Sequence, residues 1–139
     1  MARIMGIDYG TKRTGIAVTD SLQIIASALE AVPTPVLMDF LKKYMAQEVV
    51  SHIVVGEPKH MDGNPAQIAH LVNDFVVQLQ TAFPEIEIVR MDERMTSFEA
   101  QKWVMSSGIG REKRKDKSLI DKISAALILE YYMKANVWK

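Results

Sequence analysis

The order of strand-like and helix-like segments is the feature that most limits the fold of this chain. Short apolar, β-branched segments bounded by turn residues predict strands at residues 3–8, 14–19, 23–31, 52–56 and 85–91. Apolar residues at helical spacing behind capping residues predict helices that start at Thr34, Asn64, Thr96 and Ser118 and end near residues 48, 82, 107 and 133. Three strands therefore come first, and helices and strands alternate afterwards.

The connections between these segments predict a mixed sheet. Tight turns join the first three strands, which should therefore pair antiparallel. The run from His52 to Gly56 is almost continuously apolar, which is typical of a buried parallel strand. The sequence thus predicts an α/β protein with five strands: the first three antiparallel, the first, fourth and fifth parallel, and helices on both faces of the sheet.

Composition narrows the class of protein. A chain of 139 residues is enough for one domain with a substantial core, which we place at residues 1–139. No apolar run is long enough to span a bilayer, and the N-terminus enters a strand directly rather than a secretory signal. The chain has no cysteine, which excludes disulfides and thiolate chemistry. Its formal net charge is zero, so contacts with a polyanion must come from local basic patches.

Carboxylates lie at several predicted strand ends. Asp8 ends the first strand, Asp92 and Glu93 follow the fifth, and Asp121 lies in the first turn of the last helix. Sites in open α/β sheets form at the carboxyl ends of strands. Residues 124–126 are small, which lets that helix approach the sheet and point Asp121 at its edge. If the first and last elements pack together, these acids converge and could hold one or two divalent ions such as Mg²⁺.

Each acid also has a purely structural interpretation. Asp8 fits a solvated loop acid in a plain hairpin, and Asp92 or Glu93 could pair with a neighbouring arginine. Asp121 fits the third position of a helix capped by Ser118, which needs no metal. The sequence alone leaves both interpretations open.

Basic residues lie close to the predicted site in the chain. Lys12 and Arg13 stand in the turn after Asp8, and segment 111–117 carries five cations and two anions just before the last helix. Such a run is often only a solvated face, but here it could also hold a phosphate backbone. The candidate nucleic-acid contacts are Lys12, Arg13, Arg94, Arg111, Lys113, Arg114 and Lys115.

Four motifs then occur in the order of a known family: GIDYG at 6–10, VVGEP followed by MDG within 54–63, DERMT at 92–96 and DKISAALIL at 121–129. Over essentially its whole length, the chain resembles the YqgF (RuvX-like) family of pre-16S rRNA nucleases, which are also described as Holliday junction resolvases. The resemblance implies an RNase H-like fold, a bacterial cytoplasmic location and trimming of the 5′ end of precursor 16S rRNA.

The resemblance also implies a set of site residues. Asp8, one acid of the Asp92–Glu93 pair and Asp121 would be catalytic and hold Mg²⁺ or Mn²⁺, and of the pair we choose Glu93. The implied partner is precursor rRNA or a pre-ribosomal particle, with the protein a monomer or weak homodimer. One departure is Glu57, where the family commonly has an apolar residue; it could add a metal ligand or simply pair with a neighbouring lysine.

Three other functions share features with this sequence. A DNA nuclease that resolves branched junctions would use the same metal chemistry and would need a symmetric dimer to cut two strands. A non-catalytic factor that binds nucleic acid or the ribosome could retain the fold. An actin-like ATPase shares the turn at 8–11, but such proteins repeat the motif in two domains and this chain has one copy.

Overall fold

The computed structural model describes residues 2–57, 65–92 and 117–138. Within these ranges the strands are β1 (Arg3–Asp8), β2 (Arg13–Thr19), β3 (Ala26–Pro33), β4 (Val50–Glu57) and β5 (Glu87–Asp92). The helices are α1 (Leu37–Gln47), α2 (Pro65–Ala82) and α3 (Lys117–Asn136), and a 3₁₀ turn, Thr34–Val36, precedes α1. The helix predicted from Thr96 to about 107 and the Asn64 cap lie outside the described residues. None of the described helices is both long and apolar enough to cross a membrane.

The strands form one sheet in the order β3-β2-β1-β4-β5. β2 pairs antiparallel with both β1 and β3, whereas β4 pairs parallel with both β1 and β5. The predicted mixed sheet is therefore confirmed. Because β1, β4 and β5 run in the same direction, their carboxyl ends lie at one edge of the sheet.

Apolar side chains fill both faces of this sheet. Along β1, Met5 and Ile7 pack on the face covered by α1 and α2, while Ile4 packs on the face covered by α3, as the two-residue period of a strand requires. The helical residues of the first face include Leu37, Leu41, Phe75 and Leu79, and those of the second include Ile128, Leu129 and Met133. Burial of one such side chain stabilises the fold by roughly 1.5–3 kcal/mol.

Helix α3 lies very close to the centre of the sheet. A Cβ atom placed on Gly6 would lie 2.8 Å from the carbonyl oxygen of Ala125 and 2.9 Å from Cβ of Leu129. On the helix side, Ser124 and Ala125 are 1% and 0% exposed. The close approach that the small residues of this helix predicted is therefore observed, and it needs a glycine on the strand as well.

Two predicted helix caps are wrong. Thr34 makes no capping hydrogen bond and instead begins the 3₁₀ turn, with Pro35 in its first turn. The N-cap position of α1 is Val36, which also has no side-chain cap. Helix α3 begins at Lys117, so Ser118 lies inside it rather than at its N-cap position. In the case of Thr34 the reason is tertiary, because its hydroxyl binds the backbone of Gly10.

The third strand also begins later than predicted, at Ala26 rather than Gln23. The carboxylate of Asp20 accepts hydrogen bonds from the backbone N–H groups of Leu22, Ile24 and Ile25, at 3.1, 2.8 and 2.8 Å. These bonds wrap the chain around one side chain, and Gln23 takes a positive φ of 59° inside the loop. A side chain that binds its own backbone in this way competes with the extended strand.

This loop makes stability depend on pH. The backbone N–H of Ile25, followed by those of Ile24 and Leu22, lowers the pKa of Asp20 below its ordinary value of 3.8. A carboxyl group with a lower pKa in the folded state stabilises the fold above its unfolded pKa, and that contribution disappears as the pH falls through the folded pKa. We therefore expect Asp20→Ala to lower the urea midpoint at pH 7 and to differ less from the wild type at an acidic pH below the folded pKa of Asp20.

Urea unfolding of both proteins at the two pH values measures this effect. Glu85→Ala is a control, because Glu85 is also an exposed acid and lies in the turn before β5. An Asp20→Ala deficit that is equal at both pH values would contradict the role of the charged carboxylate.

Candidate functional site

Acidic residues end three neighbouring parallel strands at one edge of the sheet. Asp8 is the last residue of β1, Glu57 of β4 and Asp92 of β5. Glu57 and Asp92 are register partners, and Ile7, next to Asp8, pairs with Val55. The backbone therefore places these positions where the sequence predicted a site.

Asp121 joins Asp8 at this edge through Gly15. Gly15 is the register partner of Asp8 in the antiparallel β1–β2 pair. A Cβ atom placed on Gly15 would collide with the carbonyl oxygen of Asp121 and would lie 2.5 Å from its carbonyl carbon. Because residues opposite each other in a sheet project to the same face, Asp8 shares the face on which the first turns of α3 pack. The predicted convergence of the first and last elements is thus present in the backbone.

The carboxylate of Asp121 is held by a basic residue of the turn. Arg13 Nε donates a hydrogen bond to Asp121 Oδ2 at 3.1 Å, and the two side chains are 37% and 27% exposed. An ion pair this exposed contributes at most about 1 kcal/mol to stability. The larger effect of this ion pair is on the orientation of the Asp121 carboxylate, because the guanidinium that binds it belongs to the first residue of β2.

Two threonines fix the turn between Asp8 and Arg13. Thr14 is fully buried, and its hydroxyl lies 3.0 Å from that of Thr34. The Thr34 hydroxyl donates to the carbonyl of Gly10 at 2.7 Å. Sequence reasoning missed both residues, because it interpreted Thr34 as a helix cap and gave Thr14 no role. A local pattern contains no signal for a contact between residues 24 positions apart.

The described part of the chain contains only some of the predicted site residues. Lys12 is exposed in the turn and Arg13 is half-buried against Asp121. The other predicted residues lie outside the described ranges: Glu93, Arg94, Arg111, Lys113, Arg114 and Lys115. Within residues 2–57, 65–92 and 117–138, no group of three acidic, imidazole or thiol side chains could hold a metal ion.

The donors that are present fit a hard divalent cation. Asp8 and Asp121 supply carboxylate oxygens, which Mg²⁺ and Mn²⁺ prefer over nitrogen or sulfur. Ser124 Oγ lies one turn after Asp121 and is buried, with no hydrogen-bond partner among the residues that the structure describes. A buried oxygen without a partner is uncommon, and a bound ligand or a water beside it would supply one.

The fold defines the class of protein first. The chain superposes on Thermus thermophilus RuvC in complex with a Holliday junction substrate, with a TM-score of 0.60, 18% identity and coverage of 98% of this chain and 97% of RuvC. A second T. thermophilus RuvC structure gives a TM-score of 0.55 at 14% identity, with 96% of each chain covered. This is the RNase H-like fold, as predicted.

Sequence comparison then identifies the family. The sequence model of the RuvX family, described as Holliday junction resolvase, matches residues 2–135, and the chain belongs to this family. A relative from Flavobacterium johnsoniae, named "Putative pre-16S rRNA nuclease", is 48% identical over 136 residues, covering 98% of this chain and 99% of the relative. A relative of the same name from Porphyromonas gingivalis is 47% identical over 133 residues, covering 96% of both chains. The predicted family is confirmed.

Proposed function

We propose that this protein is a divalent-metal-dependent nuclease that processes the 5′ end of precursor 16S rRNA. The observation that carries the proposal is the meeting of Asp8 and Asp121 at Gly15, on the carboxyl edge of an RNase H-like sheet. Membership of the RuvX family and the names of its relatives support the substrate. We infer that residues 1–139 act as one nuclease domain in the bacterial cytoplasm.

Asp8, Glu93 and Asp121 are the proposed catalytic residues and metal ligands. Of the adjacent acids Asp92 and Glu93, we propose Glu93. Bound Mg²⁺ or Mn²⁺ would polarise the scissile phosphate and stabilise the charge that develops on its oxygens.

The chain's own residues prepare this site. Gly15 lets α3 approach closely enough for Asp121 to reach the edge, and Arg13 orients its carboxylate. Lys12 is exposed beside them and is suited to contact a backbone phosphate, a contact that lends affinity without sequence preference. We propose the same role for the remaining basic residues: Arg13, Arg94, Arg111, Lys113, Arg114 and Lys115.

Resolution of branched DNA is the second candidate function. It is favoured by the description of the RuvX family and by the fold shared with RuvC. A resolvase cuts two strands symmetrically, so this function requires a dimer. The first candidate is compatible with a monomer or a weak homodimer, and the mass of the protein in solution therefore helps to separate the two.

Cleavage of two substrates side by side tests the proposal. We expect a precursor 16S rRNA 5′ fragment to be cut in Mg²⁺ or Mn²⁺ and to stay intact in EDTA. An RNA that already has the mature 5′ end is the control and should resist cleavage. Cleavage of a four-way DNA junction without cleavage of the RNA would replace the first function by the second. RNA cleavage that persists in EDTA would overturn the metal requirement, and binding without cleavage of either substrate would indicate a non-catalytic factor.

A further inference from the structure

We propose that Thr34 is a positioning residue of this site, which acts through the turn between Asp8 and Arg13; the inference rests on the proposed nuclease function. Thr34 lies just beyond the last residue of β3 and outside every motif of the family resemblance. Its hydroxyl and its backbone N–H both bind the turn, at two different residues.

The hydroxyl closes a directed ring around Gly10. A carbonyl oxygen can only accept, so the 2.7 Å contact uses the hydrogen of Thr34 to donate to the Gly10 carbonyl. The 3.0 Å contact between the two hydroxyls must then be donated by Thr14 to Thr34. The Gly10 N–H completes the ring with a longer contact of 3.5 Å to Thr14 Oγ1. Both backbone groups of Gly10 are therefore held by threonine hydroxyls.

A second bond fixes the other end of the turn. The backbone N–H of Thr34 donates to the carbonyl of Lys12 at 3.0 Å. The turn is also tight, since a Cβ atom placed on Gly10 would collide with the carbonyl oxygen of Arg13. The turn thus has little freedom to move relative to β3.

Thr34 is itself tied to the core. Pro35 restricts the backbone of the 3₁₀ turn, and Leu37, immediately after it, is 1% exposed. Before it, Arg13 and Pro33 are register partners in the β2–β3 pair. The position of Thr34 is therefore set from both sides, which makes it a rigid reference point for the turn.

The turn connects two groups of the site. Asp8 immediately precedes the turn, and Arg13, which immediately follows it, donates to the carboxylate of Asp121. A shift of the turn would change where both acids lie. Misplacement of a reacting group by about 1 Å can cost a hundredfold in rate even when substrate binding is unaffected.

Replacement of the Thr34 hydroxyl distinguishes a role in positioning the site from a role in the stability of the fold. Thr34→Val keeps the shape and the backbone N–H but removes the ring, whereas Thr34→Ser keeps the hydroxyl. We expect Thr34→Val to lower kcat for RNA cleavage by about ten- to a hundredfold with KM unchanged, and Thr34→Ser to retain most of the activity. Thr81→Val is the control, because the Thr81 hydroxyl is exposed and donates to the Val77 carbonyl within α2, at 2.9 Å.

Amide hydrogen exchange measured by NMR supplies a readout that does not need a substrate. In Thr34→Val we expect faster exchange at Gly10 than in the wild type and in Thr34→Ser, with exchange in α2 unchanged. Unchanged exchange at Gly10, or unchanged kcat despite faster exchange, overturns the proposal. If the wild type cleaves neither RNA nor a DNA junction in Mn²⁺, the nuclease function has failed, and the positioning role of Thr34 fails with it. If the wild type cleaves and the Thr34→Val variant has an equal kcat, only the role of Thr34 is rejected.

Discussion

Asp8→Asn is expected to lower the rate of RNA cleavage by about two to three orders of magnitude, the scale seen when one group that stabilises transition-state charge is removed. The amide has the size of the carboxylate but carries no charge, so it is a poor ligand for a hard cation. Asp8 ends β1 at the edge of the sheet where Gly15, its register partner, lies against the backbone of Asp121. The loss should therefore appear in kcat rather than in RNA affinity.

Cleavage under single-turnover conditions and RNA binding by fluorescence anisotropy measure the two quantities separately. Asp39→Asn is the charge-matched control, since Asp39 is exposed in the first turn of α1, and it should cleave like the wild type. A Mn²⁺ titration followed by thermal unfolding adds a measure of metal binding, and the stabilisation by Mn²⁺ should shrink in Asp8→Asn. Full activity of Asp8→Asn would show that the site lies elsewhere.

Gly15→Ala is expected to lower the free energy of unfolding by about 1–3 kcal/mol, the cost of adding a methyl group to a close-packed interior. The added methyl would meet the backbone of Asp121, and a backbone cannot rotate away as a side chain can. The first turn of α3 must therefore move off the sheet. That movement also draws Asp121 away from Arg13, so activity should fall at temperatures where the variant is still folded.

Urea unfolding and RNA cleavage test this prediction on the same protein samples. Ser27→Thr is a suitable control, because it adds one methyl group at an exposed position of β3 where a β-branched residue is favourable. Wild-type stability together with wild-type activity in Gly15→Ala would mean that α3 does not dock as closely as the glycine contact indicates. Lost stability with full activity would show that Asp121 keeps its functional position even when α3 docks less closely.

Local patterns predicted much of the fold. The apolar, β-branched segments of β1 and β2 defined those strands to within one residue, because a strand that is buried on both faces is a nearly continuous apolar run. The same reasoning failed at Gln23 and at Thr34. In the first case Asp20 binds the backbone of residues two to five positions ahead, and in the second the hydroxyl binds a residue 24 positions away. The residues around Gln23 are of strand-forming types and Thr34 is of a helix-capping type. Hydrogen bonds to Asp20 and to Gly10 determined their conformations instead.

The candidate site, too, could be predicted from the sequence only in part. The presence of Asp8 at a strand end and of Asp121 near a helix start could be predicted from the chain, since both follow from local element boundaries. That Arg13 is the partner of Asp121 could not, because the two residues are 108 positions apart and sequence reasoning assigned Arg13 to nucleic acid. The convergence of Asp8 and Asp121 could be predicted, because it required only that the first strand and the last helix pack together.

By itself the sequence determined the order of strands and helices, the mixed character of the sheet and the family, because these depend on side-chain periodicity, turn length and motif order. Only the tertiary structure decided that α3 docks on Gly6 and Gly15, which brings the backbone of Asp121 to the register partner of Asp8. It also decided that Thr34 binds the turn between Asp8 and Arg13. The physical reason is that docking distance depends on two surfaces at once. A glycine is required at this position of β2 only because a helix far along the chain lies against it.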